Sequence, residues 1–347
     1  MSGGVDSSVA AYLMKKKGYE CIGCTMKLYS NEDAGVPSQK TCCTSEDADD
    51  ARSVAAKLDM PFYVFNLSDM FREKVIGRFA DCYEHGITPN PCIDCNRYMK
   101  FEKLYERARM LECDCIVTGH YARIYERDGR YVLAKAADPD KDQSYVLYTL
   151  TQDQLAHTQF PLGELCKEET RKIAGEIGFV NAGKPDSQDI CFAPDGDYAG
   201  AIRRFSQKSY PPGDFKDKHG NVLGQHRGII CYTIGQRKGL GISADRPLYV
   251  CDIRPEENEV ILGDNSDLFA CEVNVADTNI IADFGPNDTV RCTAKIRYRQ
   301  KEQPATVEFL EGGRAHLVFD EPQRAVTKGQ AAVFYDGDMV IGGGTIV

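Results

Sequence analysis

The chain has 347 residues, of which 42% are hydrophobic and 27% are charged, and its formal net charge is −10. This length exceeds what one hydrophobic core usually serves, so we expect two or three globular domains. No apolar run approaches the roughly 20 residues that cross a bilayer, and the negative charge argues against nonspecific binding of nucleic acid. The 15 cysteines are scattered through predicted strands and helices, which indicates a reducing, cytoplasmic environment and not a disulfide scaffold.

The first residues have the form of a phosphate-binding turn. Residues 2 to 8 read Ser-Gly-Gly-Val-Asp-Ser-Ser and run into a predicted amphipathic helix. Gly3 and Gly4 leave backbone N–H groups open to an anion, and the start of a helix adds unpaired donors and the positive end of its dipole. The loop has no lysine to reach a γ-phosphate, unlike the usual kinase cradle. It resembles the pyrophosphate loop of the N-type ATP pyrophosphatases, which implies cleavage of ATP between its α and β phosphates.

The first half of the chain alternates predicted strands and helices. We expect strands over residues 19–29, 62–67 and 115–118, and helices over residues 44–58, 69–83, 101–111 and 168–177, with Thr44 as an N-cap. This rhythm predicts an α/β fold, a doubly wound parallel sheet with ligands at the carboxyl ends of its strands.

The second half changes to short strands divided by glycine and proline, which predicts small β modules or a barrel. A break near Phe269 divides them, so we expect an N-terminal domain over residues 1–198, a small β-rich central domain over 199–268 and a C-terminal β-barrel over 269–347.

One segment of this half is basic. Lys295, Arg297 and Arg299 alternate with apolar residues, and a strand would place these three cations on one face, about 6.8 Å apart, near the step of an RNA backbone. An ordinary solvated strand face is the alternative.

Two segments present cysteines among polar residues. Cys92 and Cys95 lie in a proline-rich stretch that we interpret as a loop between two helices, where Arg97 would favour a thiolate. Cys191 lies in a second polar stretch, residues 184–192. In an ATP-using protein, two such cysteines could serve as nucleophile and sulfur carrier.

A metal site is the rival interpretation. Cys21 and Cys24 form another Cys-x-x-Cys pair, which could complete a Cys₄ zinc site with Cys92 and Cys95. Cys21 and Cys24 fall within a predicted apolar strand, however, where free cysteine commonly packs as a small hydrophobe.

The whole set of motifs, in order along nearly the entire chain, resembles the tRNA-specific 2-thiouridylases. The motifs that carry the resemblance are residues 2–8, Met26-Lys27, residues 88–97, 118–123, 141–145, 184–192, 232–239, 297–300 and 323–327.

The resemblance implies replacement of the 2-position oxygen of the wobble uridine by sulfur in tRNAs for Lys, Glu and Gln. The uridine oxygen would attack the α-phosphorus of ATP while Mg²⁺ shields the phosphates. A persulfide on Cys191 would then attack the activated carbon, and Cys95 would release the sulfur or close a disulfide with Cys191. The sulfur would come from a donor protein, a cysteine desulfurase or a relay, or from free sulfide.

The resemblance also assigns binding residues. The implied ATP-binding residues are Ser2, Gly3, Gly4, Val5, Asp6, Ser7, Ser8, Met26 and Gly119. The implied tRNA-binding residues are Asn90, Pro91, Cys92, His120, Lys141, Asp142, Gln143, Arg297, Tyr298 and Gln330. For His120, a structural histidine at a strand end is the alternative.

This chain departs from the family pattern in two ways. Many members have Asp where this chain has Cys92, so Cys92, Cys95 and Cys191 could hold a [4Fe–4S] cluster with one open iron for sulfide. Members also place a short apolar strand before the phosphate loop. We therefore expect a sheet that lacks its first strand here.

Two further functions remain open from the sequence. Another pyrophosphate-loop enzyme, such as an amidotransferase-type synthetase or a different sulfur transferase, would share residues 2–8 but lack the Cys95 and Cys191 segments. A non-catalytic protein that binds zinc or RNA would show no ATP–pyrophosphate exchange.

Overall fold

The computed structural model describes residues 1–29, 45–186, 190–193 and 196–347. The predicted N-cap Thr44 lies outside these ranges. The α-helices are Val5–Lys16, Ser45–Lys57, Ser68–Phe71, Arg78–Glu84, Pro91–Asp94, Tyr105–Met110, Gln152–Ala156, Lys167–Ile177 and Tyr198–Ser206. Segments of π-helix span Arg72–Gly77 and Cys95–Leu104, and 3₁₀ turns span Ser144–Leu147, Ile229–Cys231 and Asn265–Leu268.

The strands are β1 Gly23–Lys27, β2 Phe62–Asn66, β3 Ile116–Val117, β4 Arg123–Arg127, β5 Arg130–Ala134, β6 Thr158–Gln159, β7 Gly213–Asp217, β8 Val222–His226, β9 Tyr249–Arg254, β10 Glu259–Gly263, β11 Phe269–Ile280, β12 Thr289–Lys295, β13 Gln303–Leu310, β14 Arg314–Arg324, β15 Ala331–Asp336 and β16 Met339–Ile346. Within the described ranges, no helix is long and apolar enough to cross a membrane.

The chain divides into two compact units. The first unit comprises Met1–Val75, Cys92–Asp197 and Asp338–Val340, and the second comprises Ile76–Pro91, Tyr198–Gly337 and Ile341–Val347.

The first unit contains the predicted parallel pairing. β1 pairs with β2 in parallel, and β3 pairs with β6 in parallel as a second two-stranded sheet. A buried cluster from the first helix and from later segments packs together, and this burial of apolar surface stabilises the unit. The cluster includes Val5, Val9, Ala10, Val54, Tyr121, Leu162, Ala174 and Phe179.

The helix Val5–Lys16 begins directly after the glycine pair. Gly4 is its N-cap with extended backbone, Asp6 lies in its first turn, and Lys15 and Lys16 lie in its last turn. This charge order suits the helix dipole, and the first N–H groups of a helix have no partner within it.

The segment that carries Cys92 and Cys95 is helical, so its interpretation as a loop is wrong. Pro91 is the first residue of a helix, and the helical segments continue from there through Met110. Proline suits the first helical position because its missing N–H has no partner there in any helix. The strand predicted over residues 19–29 is also shorter, since β1 contains Cys24 but not Cys21.

The second unit is built from β-sheet, as predicted. A four-stranded sheet has the order β8-β7-β10-β9. The strands β11-β14-β13-β12-β15-β16 follow one another around a closed barrel, because β11 also pairs with β16. Its core includes Val273, Val307, Phe309, Leu317, Phe319 and Phe334.

The predicted basic strand is wrong. β12 ends at Lys295, and a turn follows in which the backbone N–H of Gln300 donates to the Arg297 carbonyl. The Arg297 guanidinium donates to the carbonyls of Arg324 (2.8 Å) and Ala325, whereas Arg299 is exposed. The three cations therefore do not share one strand face, because Arg297 holds a neighbouring segment of its own unit.

We predict that Arg297→Ala lowers the free energy of unfolding by about 1–3 kcal/mol, because two carbonyls lose a charged donor. Arg299→Ala is the matched control and should change it by less than about 0.5 kcal/mol. Urea unfolding of both variants measures the difference. Equal effects of the two substitutions would contradict this role of Arg297.

Candidate active site

The phosphate loop is held in shape by its own side chains. The Ser7 and Ser8 hydroxyls both donate to the Gly4 carbonyl, at 3.0 and 3.1 Å, and the Ser2 N–H donates to Ser7 Oγ at 3.1 Å. Gly3 has φ +72°, and a Cβ on it would lie 2.5 Å from the Asp47 carbonyl oxygen. Only glycine fits this left-handed, closely packed position.

Two residues from distant parts of the chain fix the loop from outside. The buried Asn181 donates through Nδ2 to the Gly3 carbonyl and to Ser8 Oγ, both at 2.9 Å. A Cβ on Gly119 would lie 2.7 Å from the Asp6 carbonyl carbon and from the Ser7 nitrogen, so the two backbones are in direct contact. The loop is therefore held in shape by hydrogen bonds and backbone contacts from within the chain.

Asp6 of the loop is paired with a buried lysine. Lys167 Nζ lies 2.7 and 2.8 Å from the two Asp6 oxygens, and the Tyr121 hydroxyl donates to Asp6 Oδ1 at 3.0 Å. The Lys167 side chain is only 11% exposed. Burial and the Asp6 carboxylate raise the pKa of Tyr121, so its hydroxyl remains a donor.

Asp186 connects three cations. Its Oδ1 accepts from Lys167 (2.8 Å) and Arg171 (3.0 Å), and its Oδ2 accepts from Lys141 (3.0 Å). Burial raises the pKa of Asp186, but the hydrogen bonds from Lys167 and Lys141 outweigh it and lower the pKa below its usual value. Asp186 is therefore a carboxylate at neutral pH. Nearby, Lys184 donates to Asp47 and Asp50.

Two other residues with an implied role in tRNA binding make bonds within the fold. Asp142 accepts from the Ala136 and Ser144 N–H groups, at 3.1 and 3.2 Å. Gln143 Oε1 accepts from the Tyr121 N–H at 3.0 Å. Their contact with tRNA stays a prediction.

His120 is a buried, neutral histidine. Its Nε2 lies 3.2 Å from Lys100 Nζ and its Nδ1 lies 2.8 Å from Thr118 Oγ1. Burial and the Lys100 charge hold the pKa of His120 well below its usual value. Lys100 can only donate, so Nε2 accepts and Nδ1 carries the proton. These bonds give His120 a structural role, and its contact with tRNA stays a prediction.

The candidate thiols lie in different surroundings. Cys92 is exposed in the first turn of its helix, and Cys95, three residues later, is partly buried. Burial raises the pKa of Cys95, Lys100 opposes this rise, and Asp94 adds to it. The Cys191 carbonyl accepts from the Tyr29 hydroxyl at 3.0 Å.

An aromatic group lies beside this carbonyl. The ring of Tyr29 lies 5.7 Å from that of Phe71, which in turn lies 6.1 Å from that of Phe192.

Met26, an implied ATP-binding residue, lies in β1 opposite Phe65. Its role stays a prediction.

In the part of the chain that the structure describes, the candidate thiols do not assemble a metal site. Among residues 1–29, 45–186, 190–193 and 196–347, no three His, Cys, Asp or Glu side chains are placed to hold a metal ion. Cys92 is exposed while Cys95 packs inward, and the Cys21 thiol is directed at the Tyr19 carbonyl, 3.6 Å away. Neither the [4Fe–4S] cluster of Cys92, Cys95 and Cys191 nor the Cys₄ zinc site fits this arrangement.

Several residues with an implied role in tRNA binding lie in the second unit. Gln330 Nε2 donates to the Thr88 carbonyl at 2.8 Å, and the Thr88 N–H donates to the Lys328 carbonyl at 2.9 Å. This pairing joins the segment that carries Gln330 to the segment that precedes the half-buried Asn90 and the buried Pro91. Tyr298 is exposed, and the tRNA contacts of all these residues stay predictions.

Sequence reasoning missed Asn181, Lys167, Arg171 and Asp186 as site residues. Asp186 and Asn181 stand in or beside the polar stretch that carries Cys191, which is the one signal that pointed at them. Lys167 and Arg171 are four residues apart and therefore share a helix face, but this spacing alone does not indicate a partner.

Three family models match the chain in succession. They are the tRNA methyl transferase HUP domain over residues 1–195, the tRNA methyl transferase PRC-barrel domain over 201–264 and the Aminomethyltransferase beta-barrel domain over 271–346. The chain is thus a HUP-domain protein with two β-rich domains, which confirms the predicted fold class.

The relatives of the chain identify the family. It is 51% identical to the tRNA-specific 2-thiouridylase MnmA of Clostridioides difficile over 348 residues, covering 100% of this chain and 96% of that protein. It is 50% identical to the protein of the same name from Clostridium botulinum over 346 residues, with the same coverage. The chain belongs to the MnmA family of tRNA-specific 2-thiouridylases.

We predict that Gly119→Ala destabilises the first unit by about 1–3 kcal/mol, because its Cβ would force the loop backbone at Asp6 and Ser7 to move. Gly175→Ala is the matched control. Gly175 has open space around it in the helix Lys167–Ile177, so alanine there should be neutral or stabilising by up to about 1 kcal/mol. Denaturant unfolding compares the two, and an unaffected Gly119→Ala variant would refute the close contact.

Proposed function

We propose that this protein is an ATP-dependent tRNA 2-thiouridylase acting on the wobble uridine of tRNAs for Lys, Glu and Gln. The observation that carries the proposal is the organised phosphate loop in the same unit as Cys95 and Cys191, within a chain that matches its relatives along its full length. The reaction takes place in the cytoplasm, where thiols stay reduced.

The first step activates the base. The 2-carbonyl oxygen of the uridine attacks the α-phosphorus of ATP, and pyrophosphate leaves. The loop of Ser2 to Ser8, Met26 and Gly119 would hold the nucleotide, with backbone N–H groups at the helix start facing the phosphates. Mg²⁺ bound with the phosphates would shield their charge. Asp6 would be the carboxylate that the loop offers to this ion.

The second step transfers sulfur. The outer sulfur of a Cys191 persulfide attacks carbon 2, and AMP departs with the former carbonyl oxygen. The Cys95 thiolate attacks the Cys191 sulfur, so the S–S bond of the persulfide breaks, the sulfur stays on the base and a Cys95–Cys191 disulfide forms. A cellular thiol then reduces this disulfide by two electrons.

The surroundings of Cys95 support its proposed role as the second thiol, which acts after Cys191. The raised pKa of Cys95 keeps it a thiol until substrate binds. Cys95 therefore does not attack the persulfide before the sulfur has reached the base. The outer sulfur arrives from the persulfide of a donor protein, a cysteine desulfurase or a relay: the Cys191 thiolate attacks it, and the donor's cysteine leaves as a thiolate.

The test is the appearance of 2-thiouridine in tRNA. A deletion strain supplied with this chain should regain 2-thiouridine in its tRNA nucleosides, measured by mass spectrometry, and purified protein should release pyrophosphate from ATP in the presence of unmodified tRNA. A protein that exchanges ATP and pyrophosphate but leaves tRNA unchanged would point to another pyrophosphate-loop synthetase.

We predict that Cys191→Ala and Cys95→Ala each reduce thiolation to background while tRNA binding stays within about twofold, because both thiols act in chemistry. Cys21→Val and Cys24→Val are the controls and should retain activity. Thiolation in vitro with a persulfide donor, paired with filter binding of tRNA, separates the two effects. Retained thiolation in Cys191→Ala would overturn the proposed nucleophile.

We predict that Cys92→Ser lowers the thiolation rate by less than about tenfold and that activity survives air and iron chelators, because the relay uses only Cys95 and Cys191. The measurement is single-turnover thiolation with Cys92→Ser purified without oxygen. If thiolation requires iron in the unaltered protein and is lost in Cys92→Ser, the [4Fe–4S] mechanism would replace the persulfide relay.

A further inference from the structure

A short segment of the second unit leads into the thiol-bearing helix that begins at Pro91. We call this segment, residues 85–90, the strap. It leaves the preceding helix through a Schellman motif, in which Gly86 has φ +69° and the Ile87 N–H donates to the Cys82 carbonyl at 2.8 Å. The Gly86 N–H donates one residue further along the helix, at 3.2 Å. The start of the strap therefore has a fixed direction.

The C-terminal barrel holds the middle of the strap through one turn, residues 327–330, which we call the barrel turn. The Thr88 N–H donates to the Lys328 carbonyl at 2.9 Å, and the Thr88 carbonyl accepts from Gln330 Nε2 at 2.8 Å. The Gly329 N–H donates to a carbonyl of β16 at 2.9 Å, so the barrel turn is itself tied to the barrel. The strap cannot shift along the barrel turn without leaving backbone groups unpaired.

Two glycines let the strap pack closely at two points of its unit. Gly329 has φ +88°, and a Cβ on it would lie 2.4 Å from Ile87 Cγ2 and 3.1 Å from the Thr88 carbonyl carbon. A Cβ on Gly86 would lie 3.2 Å from the side chain and the carbonyl oxygen of Ile253, which lies in β9 of the four-stranded sheet. Any side chain at position 329 would therefore push the strap away from the barrel turn.

The strap passes its position on to the segment that carries the chemistry. Only Pro89 and Asn90 separate Thr88 from Pro91, the first residue of the helical segments that contain Cys95. Proline fixes φ at two of these positions, so the link has little freedom to absorb a displacement. A shift of Thr88 would therefore move the start of the helix.

We propose that the barrel turn is a positioning element for sulfur transfer, and that Gly329 sets the distance between it and the strap. This inference rests on the proposed function, in which Cys95 attacks the sulfur of Cys191. The attack needs the two sulfur atoms close together and aligned, and a misplacement of about 1 Å can cost a factor of about 100 in rate. The barrel would thus act in the thiol step as well as in tRNA binding.

The test is single-turnover kinetics of full-length Gly329→Ala at saturating tRNA and ATP. We expect thiolation to slow by about tenfold or more, because the new Cβ displaces the strap. Pyrophosphate release should fall by less than about threefold, since it precedes the attack by Cys95. The Kd for tRNA, from filter binding, should also stay within about threefold. A variant that is merely less folded would lose both rates in the same proportion.

The matched control is Gly312→Ala, in the turn between β13 and β14 of the same barrel. Gly312 has φ +71° and nothing within 4 Å of its Cβ position, so alanine there carries the left-handed strain without a collision. Both rates should stay within about twofold of the unaltered protein. A double variant, Gly329→Ala with Ile87→Ala, removes the colliding Cγ2 and should regain about threefold or more of the lost thiolation rate.

Three outcomes would overturn the inference. These are equal fractional losses of thiolation and pyrophosphate release in Gly329→Ala, equal effects of Gly329→Ala and Gly312→Ala, and a loss confined to tRNA affinity. Gly86→Ala, with its milder contact at 3.2 Å, carries the same test if Gly329→Ala does not fold. An unaltered chain that never thiolates tRNA would overturn the proposed function and this inference with it. A thiolating chain with an unaffected Gly329→Ala variant would overturn the inference alone.

Discussion

The pairing of Asp6 with Lys167 is the interaction on which the rest of the site depends. Lys167 is nearly buried, and a buried charge is costly unless partners and hydrogen bonds compensate it, as the Asp6 carboxylate does here. The two residues are 161 positions apart, and their contact fixes the helix Lys167–Ile177 against the phosphate loop. Arg171 and Asp186 then take their positions from that helix.

The segment around Cys191 is tied to the same centre at several points. Asn181 bonds the loop, Lys184 bonds Asp47 and Asp50, and Asp186 bonds the cations. The Tyr29 hydroxyl bonds the Cys191 carbonyl on the other side. Residues 181–186 are therefore held to the phosphate loop and to the helix Lys167–Ile177 by hydrogen bonds.

The sequence predicts the parts of this structure that depend on local rules. A Gly-Gly turn before a helix and turn-divided strands are set by neighbouring residues, so the loop and the β-rich second half were predictable. The roles of Asn181 and Asp186 were not predictable from local rules. Asn181 bonds Gly3, 178 positions away, and Asp186 pairs with Lys167, 19 positions away, and no local pattern indicates these partners. Pro91 begins a helix although neighbouring prolines favour a loop, and alternation of polar and apolar residues cannot show that the Arg297 guanidinium meets backbone carbonyls.

The differing surroundings of the thiols explain why a count of cysteines misleads. Cys92 and Cys95 are three residues apart on one helical segment, yet one is exposed and the other has a pKa raised by burial. A cluster needs its ligands at one point as thiolates, whereas a relay needs one protected thiol and one that receives sulfur. Burial raises the pKa of Cys95, so its thiol differs from the exposed Cys92 thiol, and a shared Cys-x-x-Cys spacing does not give the two thiols the same chemistry.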